Sequence, residues 1–198
     1  MKATGQYGEA LEFAARALDI AAREQDLYGE VLARITMGRN LLMLHRNDEA
    51  VECLSIGREI VERNGYDTIN ANLTGALATA LARTGKAHQA VGLAEVCMET
   101  GMHLRTGQME VCYLYVGYAE ALVRSGESEH GLSVLDHALS IAKTIKNPWL
   151  TVECLGLRAR LLAETKPDAP RVAQDLAEMR AICGQHGVVA WDVSRLVA

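Results

Sequence analysis

Aromatic residues make up only 5% of this 198-residue chain, and proline occurs three times. A sheet-based fold draws on β-branched and aromatic residues in strict alternation, and few stretches here have that pattern. Hydrophobic residues nonetheless reach 49%, much of it alanine and leucine, which favour helix and let helices approach closely. An all-α fold follows, with length enough to bury a sizeable core. Long hydrophobic runs are missing: Leu41-Leu42-Met43-Leu44 stops at His45, too short to span a bilayer, and the N-terminus lacks the apolar stretch of a secretory signal. Basic runs are missing as well. A formal net charge of −5, with Lys and Arg scattered among Asp and Glu, argues against the basic face that grips phosphates, so no direct nucleic-acid contact is expected. Cysteines do not pair in sequence: Cys53, Cys97, Cys112, Cys154 and Cys183 lie far apart, with no Cys-x-x-Cys. They read as small buried apolar residues in a reducing compartment. The expectation is a cytoplasmic protein that does not touch the membrane.

A set of residues for catalysis is also lacking. No Gly-x-x-x-x-Gly-Lys-Ser/Thr phosphate loop occurs, so an ATPase would lie elsewhere. Cys183 and His186 share a helix face, but two ligands do not complete a zinc site. His130 and His137 are two helical turns apart, too far to share one metal. Both pairs read as surface or packing residues, and Trp149 and Trp191 as core or cap anchors. The chain is therefore read as no enzyme, with neither cofactor nor metal.

What is present is a repeat. The segment Gly5-Gln6-Tyr7-Gly8-Glu9-Ala10-Leu11 has the layout of His45-Arg46-Asn47-Asp48-Glu49-Ala50-Val51, of Gly85-Lys86-Ala87-His88-Gln89-Ala90-Val91 and of Gly126-Glu127-Ser128-Glu129-His130-Gly131-Leu132. A degenerate copy runs through Ala173, after Pro167 and Pro170. The anchors at 10, 50, 90, 131 and 173 are 40, 40, 41 and 42 residues apart, which signals stacked supersecondary units. Turns are expected near 5–10, 45–50, 85–90, 126–131 and 166–173, all within one repeat domain spanning 1–198.

Each turn lies between two helical patterns. Thr74, Leu77, Ala78 and Leu81 recur on one helix face before the third turn, and Tyr115, Tyr118, Ala119 and Leu122 before the fourth. After the turns, inner faces carry Ala10, Ala14 and Ala17; Ala50, Leu54 and Gly57; Ala90, Ala94 and Cys97; and Gly131, Leu135 and Ala138. Asn64-Gly65 and Thr100-Gly101 look like left-handed caps, and Asn147-Pro148 closes one helix and opens the next. The spacing predicts helices at about 7–24, 28–44, 48–63, 67–83, 87–100, 106–124, 128–145, 148–164, 169–185 and 188–197.

The turn Gly5-x-Tyr7-x-x-Ala10, followed by Ala14 and Ala17, resembles the tetratricopeptide-repeat (TPR) consensus. Met37-Gly38-x-x-Leu41, Leu77-Ala78-x-x-Leu81 and Tyr118-Ala119-x-x-Leu122 match the preceding half. The resemblance covers nearly the whole chain, but the family's early tryptophan and terminal proline are absent. HEAT and armadillo arrays share the period of about 40; the short Gly-containing turn followed five residues later by Ala favours TPR. The long period is similar to repeats of maltose-regulon-type and LuxR-type ATP-dependent bacterial regulators and of cyclase-associated regions. That resemblance implies a right-handed α-α superhelix and a protein- or peptide-binding or sensor role in a larger bacterial signalling or transcription-regulatory protein.

The opening on a second helix, and the closing run Val188-Val189-Ala190-Trp191, are the expectation of a fragment of a longer protein or of ends that self-associate. A free-standing adaptor or homo-oligomerisation scaffold is the alternative reading.

In the TPR family the first helix of each pair lines the concave face. By resemblance that face presents Leu32, Ile35, Arg39 and Met43; Asn72, Gly75, Ala76, Thr79 and Arg83; Tyr113, Val116, Gly117, Glu120 and Arg124; and Glu153, Gly156, Leu157 and Arg160. Arg39, Asn72, Thr79, Arg83, Tyr113, Glu120, Arg124 and Arg160 are the candidate ligand-binding residues. The arginines suit an acidic peptide or carboxylate; the alternative is that they are solvated or pair with Glu120 and Glu153. The acceptor for chaperone C-terminal tails is not expected, because its Lys and Asn places hold Ile35 with Arg39, Ala76, and Tyr113 with Gly117. Gly75, Gly117 and Gly156 stand inside predicted helices at a cost of about 1 kcal/mol each relative to alanine. Either neighbouring helices approach closely there, or the groove is widened.

Overall fold

The structure, a computed structural model, describes residues 2–100, 107–165 and 170–186, with side chains from Tyr7 onward. Among these residues every regular element is a helix: α1 Lys2–Glu24, α2 Leu27–Met43, α3 Asn47–Asn64, α4 Asp67–Arg83, α5 Ala87–Glu99, α6 Gln108–Ser125, α7 Ser128–Thr144, α8 Pro148–Thr165 and α9 Pro170–His186. The predicted helix at 188–197, and Trp191 with it, lies outside the described residues.

Six turns lie wholly among the described residues, and each reverses the chain with one residue of positive φ. Gln25, His45 and Lys146 adopt φ of 57°, 59° and 53°, and Gly65, Gly85 and Gly126 adopt 67°, 81° and 101°. Glycine reaches this region without steric cost, whereas the three side-chain-bearing residues are held there against it. Helix starts are capped where the turn supplies an acceptor. The Asp26 carboxylate takes the Gly29 N–H at 2.9 Å, and the Asn147 amide oxygen takes the Leu150 N–H at 3.1 Å. The expected left-handed end at Asn64-Gly65 is present. Thr100 is right-handed, as Asn64 is before Gly65, and its hydroxyl donates to the Val96 and Cys97 carbonyls at 2.9 and 3.1 Å. Gly101 lies outside the described residues.

Sequential helices pack as antiparallel neighbours, and the even-numbered ones α2, α4, α6 and α8 also touch one another in order. Helices α4 and α6 are enclosed by this arrangement. Every residue from Leu73 to Ala82, and from Val116 to Val123, is buried, as expected for helices apolar all round. The odd-numbered helices bury one stripe. Ala50, Leu54, Ala90, Ala94, Gly131, Leu135 and Ala138, all expected on inner faces, are buried. Apolar clusters centre on Leu54, Leu73 and Leu77 in the first half and on Leu135, Leu150, Leu155 and Met179 in the second. A third, around Ala94, Cys97, Leu114 and Tyr118, connects α5 to α6.

Two expectations fail at α1. Residues 5–10 form no turn but lie within α1. A Cβ at Gly8 would meet nothing within 4 Å, so no neighbour forces a reversal and the helix continues. Ala17 is exposed, because among the described residues α1 packs on α2 and turns Ala14 and Ala21 into that contact. At the other end residues 166–169 lie outside the described region, residues 170–173 belong to α9, and Ala173 is exposed. There α9 turns Asp175, Leu176 and Met179 inward instead. Asp175 receives a fork from Arg158 on α8 at 2.8 and 2.5 Å, and Arg158 also reaches Asp136 on α7. This nearly dry ion pair is the polar tie of the last three helices.

Candidate binding cavity on the even-helix face

The repeat period puts equivalent residues of the even-numbered helices in register. The sixth residues are Leu32, Asn72, Tyr113 and Glu153; the ninth are Ile35, Gly75, Val116 and Gly156; the thirteenth are Arg39, Thr79, Glu120 and Arg160. The seventeenth are Met43, Arg83, Arg124 and Glu164. Two polar belts thus flank a waist of small and apolar residues.

The glycines of that waist set how close the helices come. A Cβ on Gly75 would overlap the Tyr113 carbonyl, and one on Gly117 would overlap the Gly75 carbonyl. Backbone therefore rests on backbone where α4 crosses α6, and the close-approach reading of these two glycines holds. Gly156 differs: a Cβ there would meet only the Met179 sulfur, at 3.2 Å, so its missing side chain opens space.

That space is part of a cavity of about 550 Å³. Seven of the eight candidate residues line it: Arg39, Asn72, Thr79, Arg83, Tyr113, Glu120 and Arg160. Arg124 is not in the wall and acts from behind it. Of the wider face, Leu32 is 46% exposed and Gly117 is pressed against Gly75, and neither lines the cavity. Tyr7, Met109, Trp149, Val152 and Met179 also line it. Met109 and Trp149 are the second residues of α6 and α8, a row the repeat alignment contains. Trp149, expected as a core or cap anchor, is instead 59% exposed, because the second residue of α8 projects past the last enclosed turn. Tyr7 joins the wall from α1, where the consensus pattern places a turn. Met179 comes from an odd-numbered helix and is reachable only across the bare Gly156.

Electrostatics divide the cavity in two. At one end Arg83 makes a bidentate contact with Glu120 at 2.8 and 2.9 Å and donates to the Leu42 carbonyl at 3.3 Å. Arg124 and Arg160 donate to the same Glu120 carboxylate at 3.1 and 3.0 Å. Glu120 is fully buried. Burial alone would raise its pKa, but the charges of Arg83 and Arg160, with the Arg83 hydrogen bond and Arg124, hold it at about 2. Burial works against the Arg83 charge as well, yet Glu120 outweighs it and the Arg83 pKa rises. Arg160 is shifted down, first by burial and then by repulsion from Arg83 and Arg124, which Glu120 does not fully offset. One carboxylate thus serves three guanidinium groups.

At the other end Arg39 forms a fork with Glu153 at 2.9 and 3.0 Å and donates to the Asn72 carbonyl oxygen at 3.2 Å. Its guanidinium lies 3.4 Å from the centroid of the Tyr113 ring. The Tyr113 pKa is raised, chiefly by burial. This contact joins α2 to α8 across the whole face, so the stack curls far enough for its first and last even-numbered helices to meet. The arginines do pair with Glu120 and Glu153, as the alternative reading held.

Elsewhere the histidine pairs make ordinary surface contacts. His130 lies 3.4 Å from Glu127 and edge-on to Tyr118, and His137 stands edge-on to Tyr115.

No family model matches the chain, and no curated protein matches it in sequence. Several solved structures do match in shape, two of them of one protein. A Podosopora anserina putative kinesin light chain with nearly identical TPR-like repeats superposes with a TM-score of 0.53 at 19% identity, covering 93% of this chain and 90% of that one. A point variant of the same protein gives 0.54 at 18%, covering 92% and 89%. This chain is a TPR-like repeat solenoid. The cavity lies on the face shared by the even-numbered helices of this solenoid.

Proposed function

We propose that this TPR-like solenoid is a non-catalytic recognition module that binds a protein or peptide partner through its even-helix face. The observation that carries the reading is the convergence of Arg39, Arg83 and Arg160 on one partly apolar cavity whose rim exposes Trp149 and Met109. Exposed aromatic and arginine side chains beside a recess are the usual anchors of partner binding. Arg39, Asn72, Thr79, Arg83, Tyr113, Glu120 and Arg160 form the binding wall, and Arg124 supports Glu120. The long repeat period favours a place in a larger cytoplasmic bacterial protein of signalling or transcription regulation, as a partner-binding or sensor arm. Selection of peptides from a displayed library on the purified chain tests the reading. Acidic sequences with apolar neighbours should be enriched on the wild type and lost on Arg39→Ala and Trp149→Ala. Equal enrichment on all three proteins refutes it.

A second reading, a self-associating scaffold or adaptor, is favoured by one observation. Phe13 and Ile20 on α1 are 68% and 56% exposed, and Leu27, Tyr28 and Leu32 extend the apolar surface. Light scattering should then show a concentration-dependent dimer that Phe13→Ser with Ile20→Ser abolishes. A monomer at all concentrations removes this reading.

A further inference from the structure

The cavity, at about 550 Å³, falls inside the range of pockets that enclose a compact ligand. The Arg39–Glu153 fork spans the face from α2 to α8, so an extended chain would have to break that bridge to lie along the groove. A compact guest leaves the bridge closed, and the closed wall decides which chemistry fits.

Each guanidinium of that wall already holds a carboxylate. Arg39 is forked on Glu153, and Arg83 and Arg160 both donate to the buried Glu120. Glu164 acts on Arg83 and Arg160 as a further counter-charge. A charged guest would give up its hydration and meet only charges that are already engaged. The uncharged polar groups are in the opposite condition. A guanidinium only donates, so Arg39 holds the Asn72 carbonyl oxygen toward itself at 3.2 Å and leaves the amide N–H groups unused. Asn40 donates its amide N–H to the Thr36 carbonyl at 2.8 Å and keeps its own carbonyl oxygen unused. The Tyr7 and Tyr113 hydroxyls make no hydrogen bond among the described residues, and all four side chains line the cavity. Asn72 and Tyr113 both touch Arg39, so unused donors and acceptors gather at that end. Beyond them the waist offers Ile35, Ala76, Val116, Val152, Gly156 and Leu157, with no polar side chain. We infer that the cavity binds a compact, uncharged molecule with an apolar body and a hydroxyl or amide head, the head on Asn72 and Tyr113 and the body over the Gly156 waist. This goes beyond the partner reading and does not rest on it.

Calorimetric titration of the full chain with octan-1-ol and with 4-phenylbutyramide tests the inference, with octanoate and octylammonium as charged counterparts. Both neutral compounds should bind saturably and one to one. Octanoate and octylammonium should each bind about tenfold more weakly than octanol or worse, because their charge would leave water without an available partner. Tyr113→Phe keeps the ring beside Arg39 and removes only the hydroxyl; it should weaken both neutral compounds by about fivefold, the worth of one neutral hydrogen bond. Gly156→Leu, whose side chain grows into the waist past the flexible Met179 end, should abolish binding while the helical circular dichroism is unchanged. If Gly156→Leu fails to fold, Tyr113→Phe decides alone. No saturable binding of either neutral compound to the wild type overturns the inference, as does binding that either folded variant leaves unchanged. Octanoate or octylammonium bound as tightly as octanol overturns it as well. A short acidic peptide is titrated in parallel. Peptide binding without neutral-ligand binding sinks this inference and leaves the partner reading intact; neutral-ligand binding without peptide binding supports this inference and counts against the partner reading.

Discussion

Replacing Glu120 by glutamine removes the one anion that three arginines share while keeping the side-chain shape. The structure sets the magnitude. A carboxyl that ionises at 4.5 in the open chain and at about 2 in the fold contributes about 3 kcal/mol at neutral pH through this linkage alone. Because the folded pKa is the lower one, that stability is fully present above pH 4.5 and is lost as pH falls from 4.5 toward 2. Glu120→Gln should therefore lower the unfolding free energy at pH 7 by about 3 kcal/mol or slightly more, because Arg83 and Arg160 are left buried beside a neutral amide. The deficit should shrink to roughly half by pH 3. Urea unfolding followed by far-UV circular dichroism reads both values, with Glu153→Gln as the internal comparison. Glu153 is 38% exposed and its pair with Arg39 is screened, so its loss should cost under about 1 kcal/mol. A Glu120→Gln chain as stable as the wild type at pH 7, or a deficit that does not change with pH, would refute the account of the cluster.

Four further outcomes follow from packing and backbone geometry. Gly75→Ala should destabilise by about 1–3 kcal/mol, because its Cβ would overlap the Tyr113 carbonyl and backbone cannot yield as a side chain does. Gly156→Ala should instead gain up to about 1 kcal/mol from helix propensity, since only the Met179 sulfur stands near; thermal unfolding of the two variants should shift in opposite directions. Lys146→Gly should stabilise by roughly 0.5–1 kcal/mol, relieving a φ of 53°, and raise Tm by a few degrees. Asp175→Ala should cost up to about 3 kcal/mol in urea unfolding, because Arg158, 7% exposed at its side chain, would lose its fork and keep only the part-exposed Asp136 as counter-charge.

The enclosed middle of the solenoid was more legible in the sequence than its ends, and the reason is physical. In α4 and α6 each face has a neighbour, so the repeat pattern in Thr74, Leu77, Ala78 and Leu81 corresponds directly to burial. In α1 the same consensus residues, Gly5 to Ala10, lie within one continuous helix and make no turn. Consensus records what a residue does inside a stack; it does not report whether the stack is present on both sides. The cavity wall was legible for a related reason. A period of 40 or 41 residues between the starts of the even-numbered helices keeps equal positions in rows, so seven of eight expected residues meet in one space. Sequence does not encode how far the stack curls. The meeting of Arg39 with Glu153, the entry of Tyr7 and the reach of Met179 all depend on that curl.

The same few residues govern both the curl and the chemistry. Gly75 and Gly117 allow α4 and α6 to approach until backbone meets backbone. That approach brings Arg83 on α4 within a bidentate fork of Glu120 on α6. Arg160 then joins from α8 to the same carboxylate, which fixes three successive inner helices around one charge. A cluster of this kind is a poor way to gain stability, since a well-packed apolar set of the same volume is often as stable or more so. What it does provide is geometry: Glu120 holds Arg83, Arg124 and Arg160 in one orientation and absorbs only part of their charge. Helix propensity alone would favour alanine at Gly156, at the cost of a small shift of the Met179 sulfur 3.2 Å away. The bare Gly156 borders the same cavity as Arg83, Glu120 and Arg160, so the packing that fixes the ion cluster and the space beside it are parts of one arrangement.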